Sequence, residues 1–592
     1  MTEMKFYKIF ILQSVLAALV FGGCGIDPEY YSEVAPATFY DSPERVYQRL
    51  ASVYLHWSAN EGPRFNGSSW SLLQEMPTDE ICFPVRATDW LDGGIWLRSQ
   101  FHDFTPTTYP VEGGWNGVGT GVARAWDAKK DLLLYVDWET MFPGDPAGTR
   151  TSMMMQIDVL VASFYLRGLD FFGGMPIYRS NKEPVKARAS AKEVFNFIDS
   201  LLTQENISKL PLKTDLNAYQ NGSVDQGCAA ALLARLYFNA EAYIGEKRYA
   251  ECAQICEDFI AGKYGTYALA DDFRKIFGWG NETCGEIIWT VPSDNVMRKV
   301  DGGNYAHGLH YNAKKTLGNL EMEAFNGWCM RPSLDGDGRS YIEGRPNASP
   351  KASKLGSPFA KFEDTDLRKQ QYKYEGDGKY HGMFLFGVQE NCDPEREYKD
   401  DKYKIGETEN REPIYQPIEL VDQIAYMTRH GTDEFKEGIS YAEENSGVRL
   451  MKFSPIPTST DKSLWYNPDM PVLRLTEIHY MLAECKLQQN TDLAGAAQLI
   501  NNVRKRYFEG ENDPNPVTAA NLDKYRMLDE WLIEFIGENR RRTDLVRWGE
   551  FTMGRWFDHE PDGPGKEHYN RFPIPQEAVG ANPLLEQETG YK

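Results

Sequence analysis

Two stretches in the C-terminal third of the chain decide the fold: "PVLRLTEIHYMLAE" (residues 471–484) and "EFIGENRRRTDLVRWGEF" (residues 534–551). In the first stretch, Leu475, Ile478 and Leu482 follow the three- and four-residue spacing of an amphipathic helix. The same spacing leads into the second stretch, at Leu528, Trp531, Leu532 and Phe535. Each stretch therefore predicts a helix that buries one apolar face.

The arginines of the second stretch raise the question of a basic binding patch. Glu534, Glu538 and Asp544 lie at helical distance from these arginines, so pairing of opposite charges inside the protein is the better interpretation. Arg474 and Glu477 of the first stretch lie one helical turn apart and are interpreted in the same way. These charges are therefore assigned to the scaffold.

Helical patterns also occur in the first half of the chain. "DQGCAAALLARLYFNAEAY" (residues 225–243) predicts one helix, and "KRYAECAQICEDFIAG" (residues 247–262) predicts its antiparallel partner. In "DLAGAAQLINNVRKRYF" (residues 492–508), Asp492 is a predicted N-cap. Short helices in such pairs indicate a mostly α-helical fold of helical-repeat type, although no 34-residue repeat aligns along the chain.

Residue composition and helical periodicity divide the chain into a helical scaffold, at about residues 39–291 and 466–560, and a loop-rich insertion at about residues 292–465. Gly, Asp, Asn, Tyr and Lys dominate the insertion, which predicts loops and short strands. A short strand is also predicted in "GEIIWTVP" (residues 285–292). "LDGDGRS" (residues 334–340) lacks the further acidic positions of an EF-hand, so it predicts a polar turn.

The composition limits the class of protein. Aromatic residues make up 13% of the 592 residues, which is too many for a disordered chain and supplies both a core and exposed stacking surfaces. The formal net charge of −22 argues against nucleic acid as a partner, because binding to phosphates needs clustered Lys and Arg. Among the eight cysteines after Cys24, only Cys252 and Cys256 lie close together in sequence, which predicts small buried side chains rather than a redox or zinc motif.

Residues 1–23 predict an export signal. Lys5 and Lys8 precede a mostly apolar run that is shorter than the roughly 20 residues of a transmembrane helix. Cys24 follows two glycines, as in bacterial lipoprotein signals, in which this thiol is acylated and becomes the new N-terminus. Phe21 stands where that pattern prefers an aliphatic residue, and a plain secretory signal with an incidental cysteine is the alternative. Two or more acyl chains at Cys24 would hold the protein on a membrane.

Taken in order, these segments resemble the SusD/RagB family of outer-membrane lipoproteins of Bacteroidetes, over essentially the whole mature chain. The two opening stretches and the ending "FPIPQEAVGANPLLEQETGY" (residues 572–591) occur in the family's order and spacing. Three upstream segments are also similar to family segments: "YLRGLDFFGGMPIY" (residues 165–178), "KEVFNFIDSLL" (residues 192–202) and "YGTYALADDFRKIFGWGNETCGEIIWTV" (residues 264–291).

The resemblance implies tetratricopeptide-like helix pairs on one side of the molecule and a loop-rich, mixed α/β ligand-binding region on the other. It also implies a partner, a TonB-dependent outer-membrane barrel of SusC type that the lipoprotein covers as a lid. In glycan-importing members, the lid binds an oligosaccharide at the cell surface and the barrel imports it, with no catalysis by the lid. A lipid anchor on the outer face of the outer membrane is expected. An inward-facing lipoprotein is the alternative, because only Asp27 and Glu29 supply acidic charge just after Cys24.

Binding of a sugar requires flat aromatic rings for its C–H face and a few polar groups for its hydroxyls. Trp90 and Trp96 lie near Arg86 and Asp89 in "DEICFPVRATDWLDGGIWLRSQFHDFTP" (residues 79–106), a segment without helical period. In family members this region contributes to the ligand face. These four residues are therefore predicted ligand contacts, with the two tryptophans first.

A second cluster lies in "DGGNYAHGLHYNAKKTLGNLEMEAFNGWCMRPS" (residues 301–333), again where the family builds its ligand site. Its predicted ligand contacts are Tyr305, His307, Tyr311, Asn326 and Trp328. The alternative for Trp328 and Tyr311 is that they fill a small core of the loop itself. His307 and His310 have no evident third ligand, so no metal site and no cofactor are predicted, with a structural calcium ion left open.

Two other functions are alternatives. A glycoside hydrolase needs two carboxylates about 5–10 Å apart, and no motif singles out such a pair among the 86 acidic residues. No Gly-x-Ser-x-Gly or His-Glu-x-x-His motif occurs either. Import of peptide or protein-derived nutrients by the same lid-on-barrel arrangement is the second alternative, because exposed Trp and Tyr suit both kinds of cargo.

Overall fold

The computed structural model describes residues 39–62, 70–86, 89–293, 300–301, 307–311, 313, 317, 323–335, 338, 340–342, 348–376, 378–389, 402–407, 413–417, 419–426, 436–453, 465–466 and 468–591. The predicted signal at residues 1–23, Cys24 and Tyr305 lie outside these residues. None of the described helices combines the length and the apolar character that crossing a membrane requires.

Helices dominate the described chain on both sides of a central region of short strands. Numbered in chain order, the described α-helices are α1 (Pro43–Glu61), α2 (Trp70–Glu75), α3 (Ile95–Gln100), α4 (Tyr109–Tyr135), α5 (Trp138–Met141), α6 (Pro146–Phe172), α7 (Ala191–Leu201), α8 (Gln204–Ile207), α9 (Gln226–Phe238), α10 (Ala240–Ile244), α11 (Tyr249–Ile260), α12 (Arg274–Phe277), α13 (Pro358–Lys361), α14 (Leu475–Gln488), α15 (Leu493–Arg504), α16 (Lys524–Phe535), α17 (Arg541–Arg547) and α18 (Gln576–Ala581). The prediction of a mostly α-helical fold is confirmed.

The strands are short and form two-stranded ladders. They are β1 (Ile81–Cys82), β2 (Ile287–Val291), β3 (Val300–Asp301), β4 (Cys329–Met330), β5 (Ser340–Ile342), β6 (Ala348–Ser353), β7 (Lys373–Gly376), β8 (Lys379–His381), β9 (Phe384–Leu385), β10 (Gly387–Val388), β11 (Lys402–Glu407), β12 (Pro413–Pro417), β13 (Glu419–Leu420), β14 (Ala425–Tyr426), β15 (Lys436–Glu437), β16 (Arg449–Leu450), β17 (Trp465–Tyr466) and β18 (Met470–Arg474). The predicted polar turn in "LDGDGRS" is present at its described ends, where the Gly338 N–H donates to the Asp335 carbonyl at 2.9 Å.

Successive helices pack as the helix-pair prediction requires. Helix α9 packs on α11, α11 packs on α14, and α14 packs on α15. Cys252 and Cys256 of α11 are fully buried, as predicted for small core side chains. At the N-terminal side, α4 and α6 pack on each other and on α1. Their close approach needs Gly121, because a Cβ there would lie 2.4 Å from the ring of Phe164.

The first of the two opening stretches is helical only from Leu475 onward. The residues before it form β18, which pairs antiparallel with β2, so the extension of the helical pattern to Pro471 was wrong. The main-chain N–H of Leu475 donates to the carbonyl of Glu286 at 2.9 Å, which joins the start of α14 to this ladder. The strand predicted in "GEIIWTVP" is confirmed as β2. The N-cap is also confirmed, since Asp492 accepts from the N–H of Gly495 at 3.0 Å.

The charges of the second stretch are internally paired, as predicted, but mostly with distant segments. Arg540 pairs with Asp544 at 2.8 Å within one helical turn. Arg541 instead pairs with Asp79 at 2.7 Å, and Arg542 with Asp170 at 3.3 Å. The stretch therefore ties the C-terminal helices to the N-terminal half of the molecule.

Glu534 lies at the centre of this charge network. It accepts from Arg474 at 2.7 Å, and Arg474 also pairs with Glu538 at 2.9 Å. Burial alone would raise the pKa of Glu534, but Arg474, Arg506 and a third guanidinium outweigh burial and lower the pKa to about 2. Glu477 pairs with Arg235 at 2.6 Å. Arg474 and Glu477 of the first stretch are thus part of the scaffold, each with partners from other elements.

One strand pair positions the predicted ligand-binding segments. Strand β1 lies at the start of the segment at residues 79–106, and β4 lies near the end of the segment at residues 301–333. The two strands pair antiparallel, with Cys82 opposite Cys329. The two segments, more than 200 residues apart in the sequence, are therefore neighbours in the structure.

Candidate functional site

The loop between β1 and α3 carries Trp90 in a left-handed backbone conformation, with φ 64°. Asp92, Gly93 and Gly94 also have positive φ, at 39°, 66° and 83°. This conformation costs a non-glycine residue about 1 kcal/mol or more, so surrounding contacts must hold it. Trp90 is therefore fixed by its neighbours rather than by the preference of its own backbone.

The loop before β4 supplies those contacts. The Nε1–H of Trp90 donates to the main-chain carbonyl of Phe325 at 2.7 Å. Gly327 lies against the indole, since a Cβ at this position would be 2.4 Å from the indole Cζ2 and 2.7 Å from the His307 carbonyl oxygen. A side chain at position 327 would therefore displace the indole or the backbone next to it.

Three aromatic rings lie together at this surface. The centroids of Trp90 and His307 are 5.5 Å apart, and those of His307 and Phe325 are 5.4 Å apart. Phe325 is 42% exposed, and Trp90 and His307 are half-buried. We call these three rings, together with the polar side chains of Asp89 and Tyr311, the Trp90 cluster.

The polar side of the Trp90 cluster is a hydrogen bond between Tyr311 and Asp89. The Tyr311 hydroxyl donates to Asp89 Oδ2. Burial, followed by this hydrogen bond, raises the pKa of Tyr311, so the phenol keeps its proton. Asp89 is exposed, and a carboxylate can accept further hydrogen bonds, so it can also accept from ligand hydroxyl groups.

Arg86 was predicted to contact the ligand, and the structure contradicts this. Its side chain is 2% exposed and donates to four main-chain carbonyls. The acceptors are Asn326 at 2.6 Å, Ser446 at 3.0 Å, Gly327 at 3.4 Å and Glu443. A buried cation with its donors used by carbonyl groups organises the loops beneath the Trp90 cluster and does not face solvent.

Asn326 is also a supporting residue rather than a surface amide. It is fully buried with φ 52°. Its Nδ2 donates to the Glu444 carbonyl at 2.8 Å, and its Oδ1 accepts from Arg449 at 2.7 Å. The prediction that Asn326 faces the ligand was therefore wrong.

Trp96 and Trp328 do not offer exposed rings, contrary to prediction. Trp96 is 7% exposed, stacks on Phe83 with centroids 4.8 Å apart, and donates to Asp92 at 2.6 Å. Trp328 is 2% exposed and packs against Gly308, in agreement with the alternative that it fills the core of its own loop. A large ring next to a tight turn is readily buried by the turn itself, and the sequence does not show this.

Phe325 was not among the ligand contacts predicted from the sequence. It immediately precedes Asn326 and Gly327, a dipeptide that marks a turn, and an aromatic residue at the edge of a turn is often accessible. That local signal is weak, and its importance depends on the contact with Trp90.

Two hollows lie elsewhere on the described surface. One of about 790 Å³ is lined by residues that include Arg274, Trp279 and Tyr380. The other, of about 610 Å³, is lined by residues that include Trp115 and Tyr178. Neither is lined by a described residue of the Trp90 cluster.

Comparison with known proteins identifies relatives over most of the chain. The model of the SusD family matches residues 285–591. A SusD-like protein of Formosa agariphila is 31% identical, over 93% of this chain and 92% of its own length. The starch-binding protein SusD of Bacteroides thetaiotaomicron is 25% identical, over 74% of this chain and 72% of its own length.

Solved structures share the fold. A SusD superfamily protein from Parabacteroides distasonis has a TM-score of 0.64 at 17% identity, covering 93% of this chain and 99% of that one. The surface glycan-binding protein A of Bacteroides thetaiotaomicron, solved in complex with laminarihexaose, has a TM-score of 0.60 at 18% identity, covering 92% and 99%. These comparisons confirm the family resemblance deduced from the sequence.

Proposed function

Because the chain belongs to the SusD family, we propose that it binds an oligosaccharide with the Trp90 cluster and delivers it to a TonB-dependent outer-membrane transporter of SusC type. The observation that carries this proposal is the placement of two accessible rings, Trp90 and Phe325, beside the exposed carboxylate of Asp89. The names of two similar proteins support the ligand class: one is a starch-binding protein, and the other was solved with laminarihexaose.

The geometry suits a pyranose ring. One face of the sugar consists of C–H groups that stack on an aromatic ring, and its hydroxyls need acceptors at the rim. The hydrogen bond from Trp90 to Phe325 holds the indole in place before the ligand arrives. Less side-chain entropy is then lost on binding, which favours affinity at a shallow surface.

The proposed location follows from the N-terminus. Residues 1–23 direct export, and acylation of Cys24 anchors the mature protein in the outer membrane with its binding face toward the exterior. The proposal includes no catalytic step, because the Trp90 cluster is assigned to binding and release of intact oligosaccharide to the transporter.

The first test is affinity electrophoresis of the mature chain, started at residue 25 so that it carries no lipid, through gels that contain starch, laminarin and a range of other polysaccharides. We expect retardation on one polymer or a few related ones. Calorimetry with oligosaccharides of that polymer, on the wild type and on Trp90→Ala, then locates the site. A folded Trp90→Ala variant that binds as tightly as the wild type would refute the assignment to the Trp90 cluster.

Two further measurements separate the alternatives. Incubation with the retarding polymer should release no new reducing ends, and their appearance would indicate a glycoside hydrolase. If no polymer retards the protein and peptide mixtures bind instead, import of peptides is the better function. For the partner, the lipidated protein extracted from its native membrane should co-purify with a TonB-dependent barrel in near-equal amount, and purification without one would contradict delivery to such a transporter.

A further inference from the structure

Two buried histidines and an aspartate meet outside the Trp90 cluster. His102 lies just after α3, and His559 and Asp562 lie after α17. One ligand atom from each residue lies within 4.8 Å of the other two. His102 is 0% exposed and His559 is 4% exposed, while Asp562 is half-buried. We call these three residues the histidine–aspartate cluster.

The hydrogen bonds of His102 determine which ring nitrogen faces the cluster. Its Nε2 lies 2.8 Å from the carbonyl of Pro77, and because a carbonyl only accepts, Nε2 must donate. Its Nδ1 lies 2.7 Å from Oδ2 of Asp562. A proton lies between these two atoms, and a metal ion that replaces this proton would be bound by both of them.

His559 is arranged in the same way. Among the described residues, none hydrogen-bonds its buried Nε2. Its other ring nitrogen bonds to the main chain of Gln100, which leaves the lone pair on Nε2. The ring stacks on Trp556 with centroids 4.0 Å apart and lies 4.4 Å from the ring of His102. A buried nitrogen without a partner costs about 1–3 kcal/mol, and binding of a metal ion would remove that cost.

From this geometry we propose that His102 Nδ1, His559 Nε2 and a carboxylate oxygen of Asp562 bind one divalent metal ion, with Zn²⁺ as the best match. Two imidazole nitrogens and one carboxylate oxygen are a common zinc ligand set. Imidazoles that bind metals usually donate their second N–H to a carbonyl or carboxylate, as both rings do here to Pro77 and Gln100. Tetrahedral zinc would bring the ligand atoms to about 3.3 Å from one another, which side-chain rotations can achieve from the present spacing.

The surrounding charges are compatible with this site. One cation whose charge acts on His559 is Arg331, which donates to the carbonyl of Phe557 at 2.9 Å. The negative charges of Asp558 and Asp79 act on Arg331 and offset its positive charge. A bound ion would join residues 460 positions apart in the sequence and would clamp the C-terminal segment onto the segment that also carries Trp90.

Metal analysis tests the proposal. The mature chain from residue 25, free of any polyhistidine tag, is dialysed against chelator, loaded with Zn²⁺, passed through a desalting column and analysed by elemental mass spectrometry. We expect one zinc per chain, and a visible absorption spectrum typical of tetrahedral coordination after loading with Co²⁺. His559→Gln and Asp562→Asn should lose the zinc and the Co²⁺ spectrum, whereas His381→Gln should keep both, because His381 lies at the surface beside Glu375.

The outcomes are distinct from those of the glycan test. His559→Gln removes a nitrogen that no described residue bonds, so this variant should fold, and circular dichroism checks that it does. Wild-type protein that retains no zinc after desalting would overturn the proposal and would leave His102 and Asp562 as an ordinary hydrogen-bonded pair. Retention of a full equivalent of zinc by folded His559→Gln would overturn it as well.

Discussion

Trp90 donates its indole N–H to the main-chain carbonyl of Phe325 at 2.7 Å, although the two residues are 235 positions apart in the sequence. The same bond orients the half-buried indole and fixes the loop that carries the exposed ring of Phe325. The buried side chain of Arg86 also holds this loop, because its Nε donates to the Asn326 carbonyl at 2.6 Å. The proposed binding face therefore depends on the register between two distant segments.

Trp90→Ala is expected to weaken glycan binding at least tenfold, about 1.4 kcal/mol, because the stacking surface is lost. Its effect on stability should be small beside that of Trp96→Ala. Trp96 is 7% exposed and stacked on Phe83, so its truncation should lower the free energy of unfolding by about 3–5 kcal/mol. Calorimetry and denaturant unfolding measure the two effects. The opposite pattern, with Trp96→Ala weakening binding and Trp90→Ala weakening the fold, would contradict the structure.

Gly327→Ala is expected to weaken glycan binding without removing any group of the ligand-binding face. The new Cβ would lie 2.4 Å from the indole of Trp90, so the indole must move away from the position that its hydrogen bond defines. Gly119→Ala is the matched control, because a Cβ there meets no atom within 4 Å. Fluorescence of the tryptophans reports the displacement, and calorimetry reports the affinity. Equal affinity of Gly327→Ala and wild type would show that the position of Trp90 is not critical.

Arg86→Met is expected to destabilise the protein rather than only reduce binding. The substitution removes the Arg86 donor from four main-chain carbonyls, of which that of Ser446 keeps a second donor, Arg449, at 2.8 Å. The expected loss of unfolding free energy is about 3–5 kcal/mol. Arg98→Met is the control, since Arg98 is exposed at the end of α3, and its effect should stay within about 0.5 kcal/mol. Chemical denaturation measures both. A native-like stability of Arg86→Met would restore Arg86 as a candidate ligand contact.

Acid is expected to destabilise the scaffold through Glu534. Its pKa falls from the ordinary value of 4.5 to about 2 in the folded protein, where burial is outweighed by the guanidiniums of Arg474 and Arg506. A lowered pKa stabilises the folded state above pH 4.5, and this contribution, of order 3 kcal/mol, is lost as the pH falls toward 2.

Unfolding free energies measured between pH 6 and pH 3 test this prediction. Glu534→Gln should be less stable at pH 6 and less sensitive to acid than the wild type, whereas Glu586→Gln, at an exposed carboxylate, should behave like the wild type. A wild-type protein that gains stability over this acid range would contradict the prediction directly.

The sequence by itself determined the local structure and the family. Apolar spacing placed α9, α11 and α14, and Asp492 was recognised as an N-cap, because periodicity and capping depend on residues only a few positions apart. The balance of charge in "EFIGENRRRTDLVRWGEF" correctly indicated internal ion pairs. The two segments predicted to build the binding face do meet, through the pairing of β1 with β4.

Only the tertiary structure decided which side chains face solvent and which distant groups meet. Trp90, Trp96 and Trp328 are alike as residues in glycine-rich loops, yet one lies at the surface and two are buried, because burial is set by the segment that packs against each ring. Arg86 and Asn326 looked like ligand contacts until the carbonyl groups around them were known. His102 and Asp562 meet across 460 positions, a proximity that no local pattern encodes, since it arises from packing between elements at opposite ends of the chain.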